Sequence, residues 1–494
     1  MPDGLNSVAI GFCVLVLAAT ALLAAPNRAH AQDEPSASLG ASQSGEFAIA
    51  LTGKYPPFSY YDSQGQLTGF DVDTSQEVAD RLGRDLKIVP TEWAGILAGL
   101  LAGRYDAIIG SMGITPARQE KVDFSDPYYI SGAQLFIAKD EAGQITSIED
   151  LTDGGRVGVT IGSTYEQYLT ENYPTIEVIA RDGEPAIFQD MDNDRIDAFV
   201  TDKLVGMYRI KAAGMPYVPA GPLLYDEEVG IPIQKGQPEL LAAINAALAD
   251  MRADGTFDEL HAKYFGAEPG TGAGTQKIGA PRAAEMLLKG FLLTLAIAGL
   301  SLGLGFLISI PLGLVLFKGH GPLFFVVRGA VDFLRGTPAL VQLFFVYAGA
   351  PQIGLTLPAW MCAVIALTAN AAAYMAEVVR AGLMAVPAGQ GDAGRALGLT
   401  RVQTFRFVVW PQAFRVAVPP LMNSTVALLK DTTLIAFIGV AEVFYRAQSI
   451  ISVNYDPMLY YFIVGVLFFL VTFPLMKAAE RYERRIKAKG FTNA

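Results

Sequence analysis

Two hydrophobic rhythms divide the chain. Between residues 46 and 202, short apolar runs recur: EFAIAL (46–51), LKIVP (86–90), YDAIIG (105–110), AQLFIAK (133–139), RVGVTIG (156–162) and DAFVTD (197–202). Their length, their Val, Ile and Phe content and their flanking Gly and Asp predict buried strands. FDVDTSQEVADRLGR (70–84), TYEQYLTENY (164–173) and PELLAAINAALADMRADGTFDELHAKYF (238–265) carry apolar residues at helical spacing. Strands alternating with helices predict an α/β fold with largely parallel sheets. In such sheets ligands bind at the carboxyl ends of strands.

Beyond residue 285 the rhythm changes. Apolar segments at 287–317, 337–351, 358–385, 413–438 and 457–478 approach the ~20 residues that cross a ~30 Å hydrocarbon core. They predict an all-α transmembrane domain of about five helices over 285–480. The second segment is short unless it extends back through 322–336. The fourth carries Asn423, Lys430 and Asp431, so it is expected to face protein or a cavity rather than lipid. Between the third and fourth lies RALGLTRVQTFRFVVWPQA (395–413), basic and interrupted. A helix from about Gln390, a break at Gly398 and a second helix from Arg401 to Trp410, ending before Pro411, would make a stiff knob.

The amino end adds a third pattern. An apolar run at Val8–Ala25 followed by AHA (29–31) predicts a secretory signal over 1–31. Residues 32–46 have the composition of a disordered linker. AEPGTGAGTQKIGA (267–280) predicts a flexible tether, extending to 284, with an r.m.s. span of ~20 Å. Residues 481–494 read as a basic tail.

Charge sharpens this division. Residues 32–280 hold 18 Lys and Arg against 38 Asp and Glu, whereas residues 281–494 hold 18 against 9. Such unevenness argues for two compartments and against a nucleic-acid partner, since the soluble part is the acidic one. The 389–412 loop and YERRIKAKG (482–490) are rich in Lys and Arg, and the 351–357 loop has none. That bias predicts a multi-pass protein of the cytoplasmic membrane, with the α/β domain outside and the C-terminus inside. Cys13 and Cys362 lie in separate apolar runs, and His30, His261 and His320 are scattered. No metal site, disulfide framework or cofactor is predicted.

The candidate chemistry sits at the ends of the predicted strands. YPPFSYYDSQGQLTGFDVD (55–73) supplies aromatics on a Pro-stiffened loop, and DAIIGSMGITPARQEKVDFSDPYY (106–129) places small residues and then Arg118 after a strand. RVGVTIGST ends in Gly162, Ser163 and Thr164, and DAFVTD ends in Asp202. A guanidinium fork suits a carboxylate and an aspartate suits an ammonium, so these parts could hold a free α-amino acid. Each has an ordinary alternative: a surface ion pair for Arg118, a turn or cap for Gly-Ser-Thr, core packing for Trp93. Asp71 and Asp73 read as a helix-start cap rather than as ligand contacts, and Asp226–Glu228 as a solvated turn.

YPPF…GFDVD, WAGILAGLLAGRYDAII (93–109), ITPARQEKVDFSDPYY and RVGVTIGST together resemble the bilobed amino-acid-binding proteins of bacterial ABC importers, over 47–266. The resemblance implies that Tyr55 and Trp93 flank the ligand, that Arg118 pairs with its α-carboxylate and that Asp202 pairs with its α-ammonium. Ser111, Gly113, Gly162 and Thr164 would line the rest. Chain crossings near 134–140 and 224–232 would hinge the lobes, with the smaller lobe at about 135–223. The family often has Ser or Thr where this chain has Gly113. It commonly has an acid where this chain has Thr52, which counts against a cationic ligand.

FLRGTPALVQLFFVY (333–347), ANAAAYMAEVVRAGL (369–383), GDAGRALGLTRVQTFRFVVWPQA (391–413) and LLKDTTL (428–434) resemble the polar-amino-acid branch of ABC-importer permeases. The resemblance makes 389–412 the loop that docks on an ATPase, through Asp392, Ala393, Gly394, Ala396, Gly398 and Pro411. The family usually shows Glu-Ala-Ala where this chain has Asp392, Ala393 and Gly394. Gly394 is expected to weaken the first short helix by roughly 1 kcal/mol relative to Ala. The implied partners are a separate cytoplasmic ABC ATPase, a second copy of the chain, a free amino acid and membrane lipid. No GxxxxGK[ST] occurs, so nucleotide is not cradled by that route and a transporter subunit rather than an enzyme is expected. The alternative is a ligand-gated channel or receptor on the same binding fold; a TVGYG-type filter is lacking.

Overall fold

The computed structural model describes residues 45–181, 183–265, 277–355 and 357–488. The expected signal, nearly all of the linker and most of the tether lie outside the described residues. By contact density the chain forms two compact units. One comprises Ala37–Gly290 with Ala436–Val464; the other contains Phe291–Ile435 and the chain from Gly465 onward.

The first unit is built on strands β1 (Glu46–Leu51), β2 (Tyr60–Tyr61), β3 (Leu67–Thr68), β4 (Asp85–Pro90), β5 (Ala107–Ile108), β6 (Met112–Gly113), β7 (Val122–Phe124), β8 (Tyr129–Ala138), β9 (Arg156–Thr160), β10 (Glu177–Arg181), β11 (Ala198–Asp202), β12 (Tyr217–Gly230) and β13 (Pro232–Gln234). They form a five-stranded sheet in the order β4-β1-β5-β13-β7, a six-stranded sheet in the order β10-β9-β11-β8-β12-β6, and the small hairpin β2-β3. β1 runs parallel to both its neighbours. Phe47, Ile49 and Leu51 are buried on one of its faces and Ala48 and Ala50 on the other. That is the pattern of a strand covered on both sides by helices.

The chain visits the second sheet briefly at β6, passes into it again between β7 and β8, and returns between β12 and β13. The last two crossings make the domain bilobed and bring the ends of both sheets to a common cleft. β8 begins at Tyr129, so the first of these two precedes 134. The apolar pattern over 238–265 is two helices, Pro238–Ala253 and Thr256–Phe265. Gly255 between them has φ +84°, and the Asp254 carboxylate accepts the Thr256 N–H at 3.0 Å, which starts the second helix afresh.

The second unit is helical. Among the described residues four helices are long and apolar enough to cross a membrane: Ala280–Lys318, Ala359–Met384, Arg401–Ile438 and Pro457–Ile486. The first of these begins inside the stretch expected as tether. The expected fifth, at 337–351, is instead a 14-residue helix, Ala339–Gln352. Extension backwards is blocked because Thr337, before Pro338, is extended at φ −111°, ψ 146°, which ends the helix Pro322–Gly336. Fourteen residues rise only ~21 Å. Within this unit a Cβ on Gly305 would lie 2.9 Å from Ala371 Cβ, and one on Gly313 would lie 2.6 Å from Val379 Cγ1. The helix Ala280–Lys318 thus packs closely on Ala359–Met384 through small residues, as helices in lipid do.

The basic knob also differs in one respect. A helix Ala388–Ala396 ends before Gly398 at φ +83°, and a second begins at Arg401 with a Thr400–Gln403 capping box. The second does not stop before Pro411. It runs through a π-helical turn, Phe405–Val409, into Trp410–Asp431. A wider turn before a proline relieves the clash and the missing N–H that end an ordinary α-helix there.

Candidate functional site

Arg118 lies on a short helix, Pro116–Gln119, whose start is capped by the Thr115 hydroxyl. Its guanidinium donates to the Gly113 carbonyl at 2.7 Å and, across the cleft, to the Gly162 carbonyl at 3.3 Å. Its Cζ stands 5.7 Å from the centre of the Trp93 ring, a cation–π arrangement. Trp93 opens the helix Trp93–Leu101 and is half-buried, so one part of it packs in the lobe and the remainder faces the arginine. Burial lowers the Arg118 pKa, and the nearby Glu227 carboxylate opposes this.

Ser111 is one of few non-glycine residues with positive φ, at +55°. Its hydroxyl donates to Asp71 at 2.8 Å, its N–H donates to the Tyr128 oxygen at 3.1 Å, and the Tyr128 hydroxyl donates to Asp71 at 2.7 Å. Asp71 is therefore not a helix-start cap. It is a fully buried carboxylate that holds Ser111 in a strained conformation at the rim of the cleft. Burial raises its pKa to about 6, against the lowering effect of the Tyr128 and Ser111 hydrogen bonds. Asp73 instead pairs with Lys263 at 2.6 Å on the surface.

From the other lobe come Gly162, Thr164 and Asp202. Gly162 has φ +68° and its N–H is taken by Glu166, so its part in the cleft is the carbonyl that meets Arg118. Thr164 is the first residue of the helix Thr164–Asn172, which Ser163 caps. Asp202 ends β11, is 4% exposed, and caps the helix Lys203–Ala213 by accepting from Leu204 N and Val205 N at 2.8 and 3.2 Å. The Tyr129 hydroxyl donates to it at 3.2 Å. Tyr55 stacks on Phe58 with centroids 5.7 Å apart, and Glu184, Asp202 and Glu227 all raise its pKa beyond the effect of burial.

Glu227 was read from the sequence as part of a solvated turn. It lies instead within β12, opposite Ser131 of β8, and is 8% exposed. The Thr164 hydroxyl donates to its Oε1 at 2.6 Å. Burial raises its pKa, opposed by the Thr164 and Tyr165 hydrogen bonds and by Arg118. A Cβ built on Gly113 would overlap this carboxyl, standing 2.8 Å from its Cδ. The only sequence signal was the alternation of the 224–230 segment, which an acid triplet obscures.

Burial raises Asp202 to about 7, with Glu227 adding to the rise and hydrogen bonds from Ser131 and the helix start opposing it. The unliganded aspartate therefore takes up a proton as pH falls through about 7, and a bound ammonium favours the ionised form. Amino-acid affinity of the full-length protein should fall by up to tenfold per pH unit below about pH 7, and binding at about pH 6.5 should release a proton. Calorimetry in buffers of different ionisation heat measures both. A flat profile would show that Asp202 does not meet the ammonium.

In the knob, Gly394 is buried and a Cβ there would meet Thr404 Cγ2 at 2.8 Å. The glycine that weakens the first short helix thus permits the second to pack against it. Asp392 pairs with Arg395, while Ala393, Ala396 and Gly398 are exposed and Pro411 is half-buried. Leu397, Val402 and Phe407 project from the same region, 83%, 64% and 64% exposed.

A bilobed α/β domain with an arginine of one lobe bonding to the backbone of the other, followed by long apolar helices, is the architecture of a solute-binding domain joined to a membrane permease. Residues 47–267 match the bacterial extracellular solute-binding proteins, family 3, and residues 304–488 match the binding-protein-dependent transport system inner membrane component. The chain is similar to the L-cystine-binding protein TcyJ of Escherichia coli (strain K12), 38% identical over 45% of this chain and 84% of that protein. It is similar to the histidine-binding periplasmic protein of the same strain, 35% identical over 43% of this chain and 84% of that protein. It is also similar to the L-cystine transport system permease protein TcyB of Bacillus subtilis (strain 168), 37% identical over 41% of this chain and 86% of that protein. The chain belongs to the ABC-type amino acid importers and joins their binding-protein and permease families in one inner-membrane polypeptide.

Proposed function

We propose that this chain captures a free amino acid outside the cytoplasmic membrane and moves it inward through its permease half, driven by a separate cytoplasmic ABC ATPase. One arrangement supports the reading: Arg118 bonds across to the Gly162 carbonyl, and both Arg118 and the buried Asp202 lie within electrostatic reach of Glu227. The α-carboxylate belongs at Arg118 and the first turn of Thr164–Asn172, and the α-ammonium at Asp202. Tyr55 and Trp93 cover the ligand from the first lobe, and Ser111, Gly113 and Thr164 complete the walls. Because its two ends need groups from different lobes, a ligand binds the closed domain more tightly than the open one and so drives closure. None of this requires turnover, and we assign no enzymatic activity.

The permease half is proposed to pair with a second copy. Asn423 and Lys430 lie exposed on a span long and apolar enough to cross a membrane, where lipid is a poor neighbour and a partner helix or a watery path a good one. The 389–412 knob is proposed as the ATPase contact. Its exposed Leu397, Val402 and Phe407 and its basic residues suit an interface on the cytoplasmic side.

The test is uptake of labelled amino acids by proteoliposomes holding the full chain and its ATPase. Gly398→Val would strain a left-handed position in the knob without touching the cleft. Uptake should fall at least about tenfold while ligand affinity stays within about twofold. Uptake at the full rate would remove the knob as the ATPase contact.

A further inference from the structure

The charges in the cleft do not balance for a neutral amino acid. Arg118 offers one positive charge to a carboxylate, and Asp202 offers one negative charge to an ammonium. Glu227 is a second acid, held by the Thr164 hydroxyl and sharing the single Arg118 charge with whatever carboxylate binds there. Among the described residues no Lys, Arg or His nitrogen lies within 4 Å of its carboxylate. The other ionised groups around the cleft are already spent. Glu184 pairs with Arg209 and Glu92 with Lys54, and Asp71 adds a further acid behind Ser111.

The location of Glu227 is as specific as its charge. It rides on β12, holds Thr164 at the start of the helix Thr164–Asn172 and lies against Gly113 of the neighbouring strand β6. A Ser or Thr side chain at 113 would project into the space its carboxyl fills. The space that a hydroxyl side chain at 113 would need is therefore held by an anionic acceptor from the adjacent strand.

We propose that Glu227 is a ligand-contacting, specificity-determining residue, and that the cleft selects an amino acid of net positive charge. This rests on the amino-acid reading of the site given above and narrows it to a substrate class. A neutral zwitterion would leave the Glu227 carboxylate buried and uncompensated or force it to take a proton; an additional ammonium or guanidinium removes that penalty.

The experiment is calorimetry of the full-length protein in detergent with L-lysine, L-arginine, L-glutamine, L-cystine and L-glutamate. Lysine or arginine should bind at least tenfold tighter than glutamine, about 1.4 kcal/mol. Glu227→Gln should reduce that ratio at least tenfold, and Glu227→Asp should largely keep it. Gly113→Ser should weaken binding when Glu227 is present and be tolerated beside Glu227→Ala, where the new hydroxyl has room; that double variant should favour glutamine. A wild-type preference for glutamine, cystine or glutamate, or an unchanged ratio in Glu227→Gln, overturns the inference. Should Glu227→Gln fail to fold, the wild-type ranking and the Gly113→Ser, Glu227→Ala pair still decide it. If the preferred ligand is neutral yet lost in Arg118→Ala, the site stands and only the charge selection falls. If no amino acid binds, the site reading itself falls.

Discussion

Arg118→Ala should lower amino-acid affinity about a hundredfold or more while leaving the melting temperature of the domain nearly unchanged. The guanidinium donates to the backbone carbonyls of Gly113 and Gly162 and lies over the Trp93 ring, and its loss breaks no salt bridge among the described residues. A bound ligand is a different matter. Its carboxylate would enter a water-poor cleft with no cation to meet it, and truncating one partner of such a pair costs about 2–5 kcal/mol. Arg118→Lys should fall in between, because an ammonium cannot reproduce the planar fork that spans both carbonyls and a carboxylate. Calorimetry on the full-length protein measures the loss. Affinity retained in the alanine variant would overturn the carboxylate assignment.

The second large effect is on stability. Arg209 is fully buried in the smaller lobe, with its Nε 2.5 Å from Glu184 Oε2, and Glu184 also accepts the Thr201 hydroxyl at 2.6 Å. Phe188 and Tyr455 lie against the guanidinium, each 5.6 Å from ring centre to Cζ. Arg209→Leu would strand the Glu184 carboxylate among apolar rings and should destabilise the domain by about 3–5 kcal/mol. Adding Glu184→Leu should recover much of that loss, since removing both charges leaves neither uncompensated. Burial already raises the Glu184 pKa against the pull of Arg209. In the single variant the pKa should rise further, so the destabilisation should be small at acid pH and grow as pH rises through the raised value. Thermal unfolding of single and double variants at about pH 5 and about pH 8 checks the size and the sign. A single variant as stable as wild type at both would mean that Glu184 is neutral in the native domain.

Much of this could be read along the chain. Arg118, Thr164 and Asp202 each follow an apolar run that forms a strand, and strand ends in α/β sheets are where backbone groups and side chains are free to meet a ligand. Tyr55 and the Gly398 break were likewise visible from turn chemistry. The surroundings of three residues are not legible locally, for one reason. Asp71, Glu227 and Gly394 look polar or weak beside their sequence neighbours, yet each is buried against a group far along the chain: Tyr128, Thr164 and Thr404 respectively.

Periodicity and charge bias therefore suffice for the division into an acidic α/β domain and a basic helical one, because hydrophobic burial and membrane insertion act on runs of neighbouring residues. The length of the second apolar helix, the continuation of the knob through Pro411 and the acid facing Gly113 depend on contacts between remote segments. No local pattern encodes these, because a carboxylate acquires its role from whatever the fold sets against it.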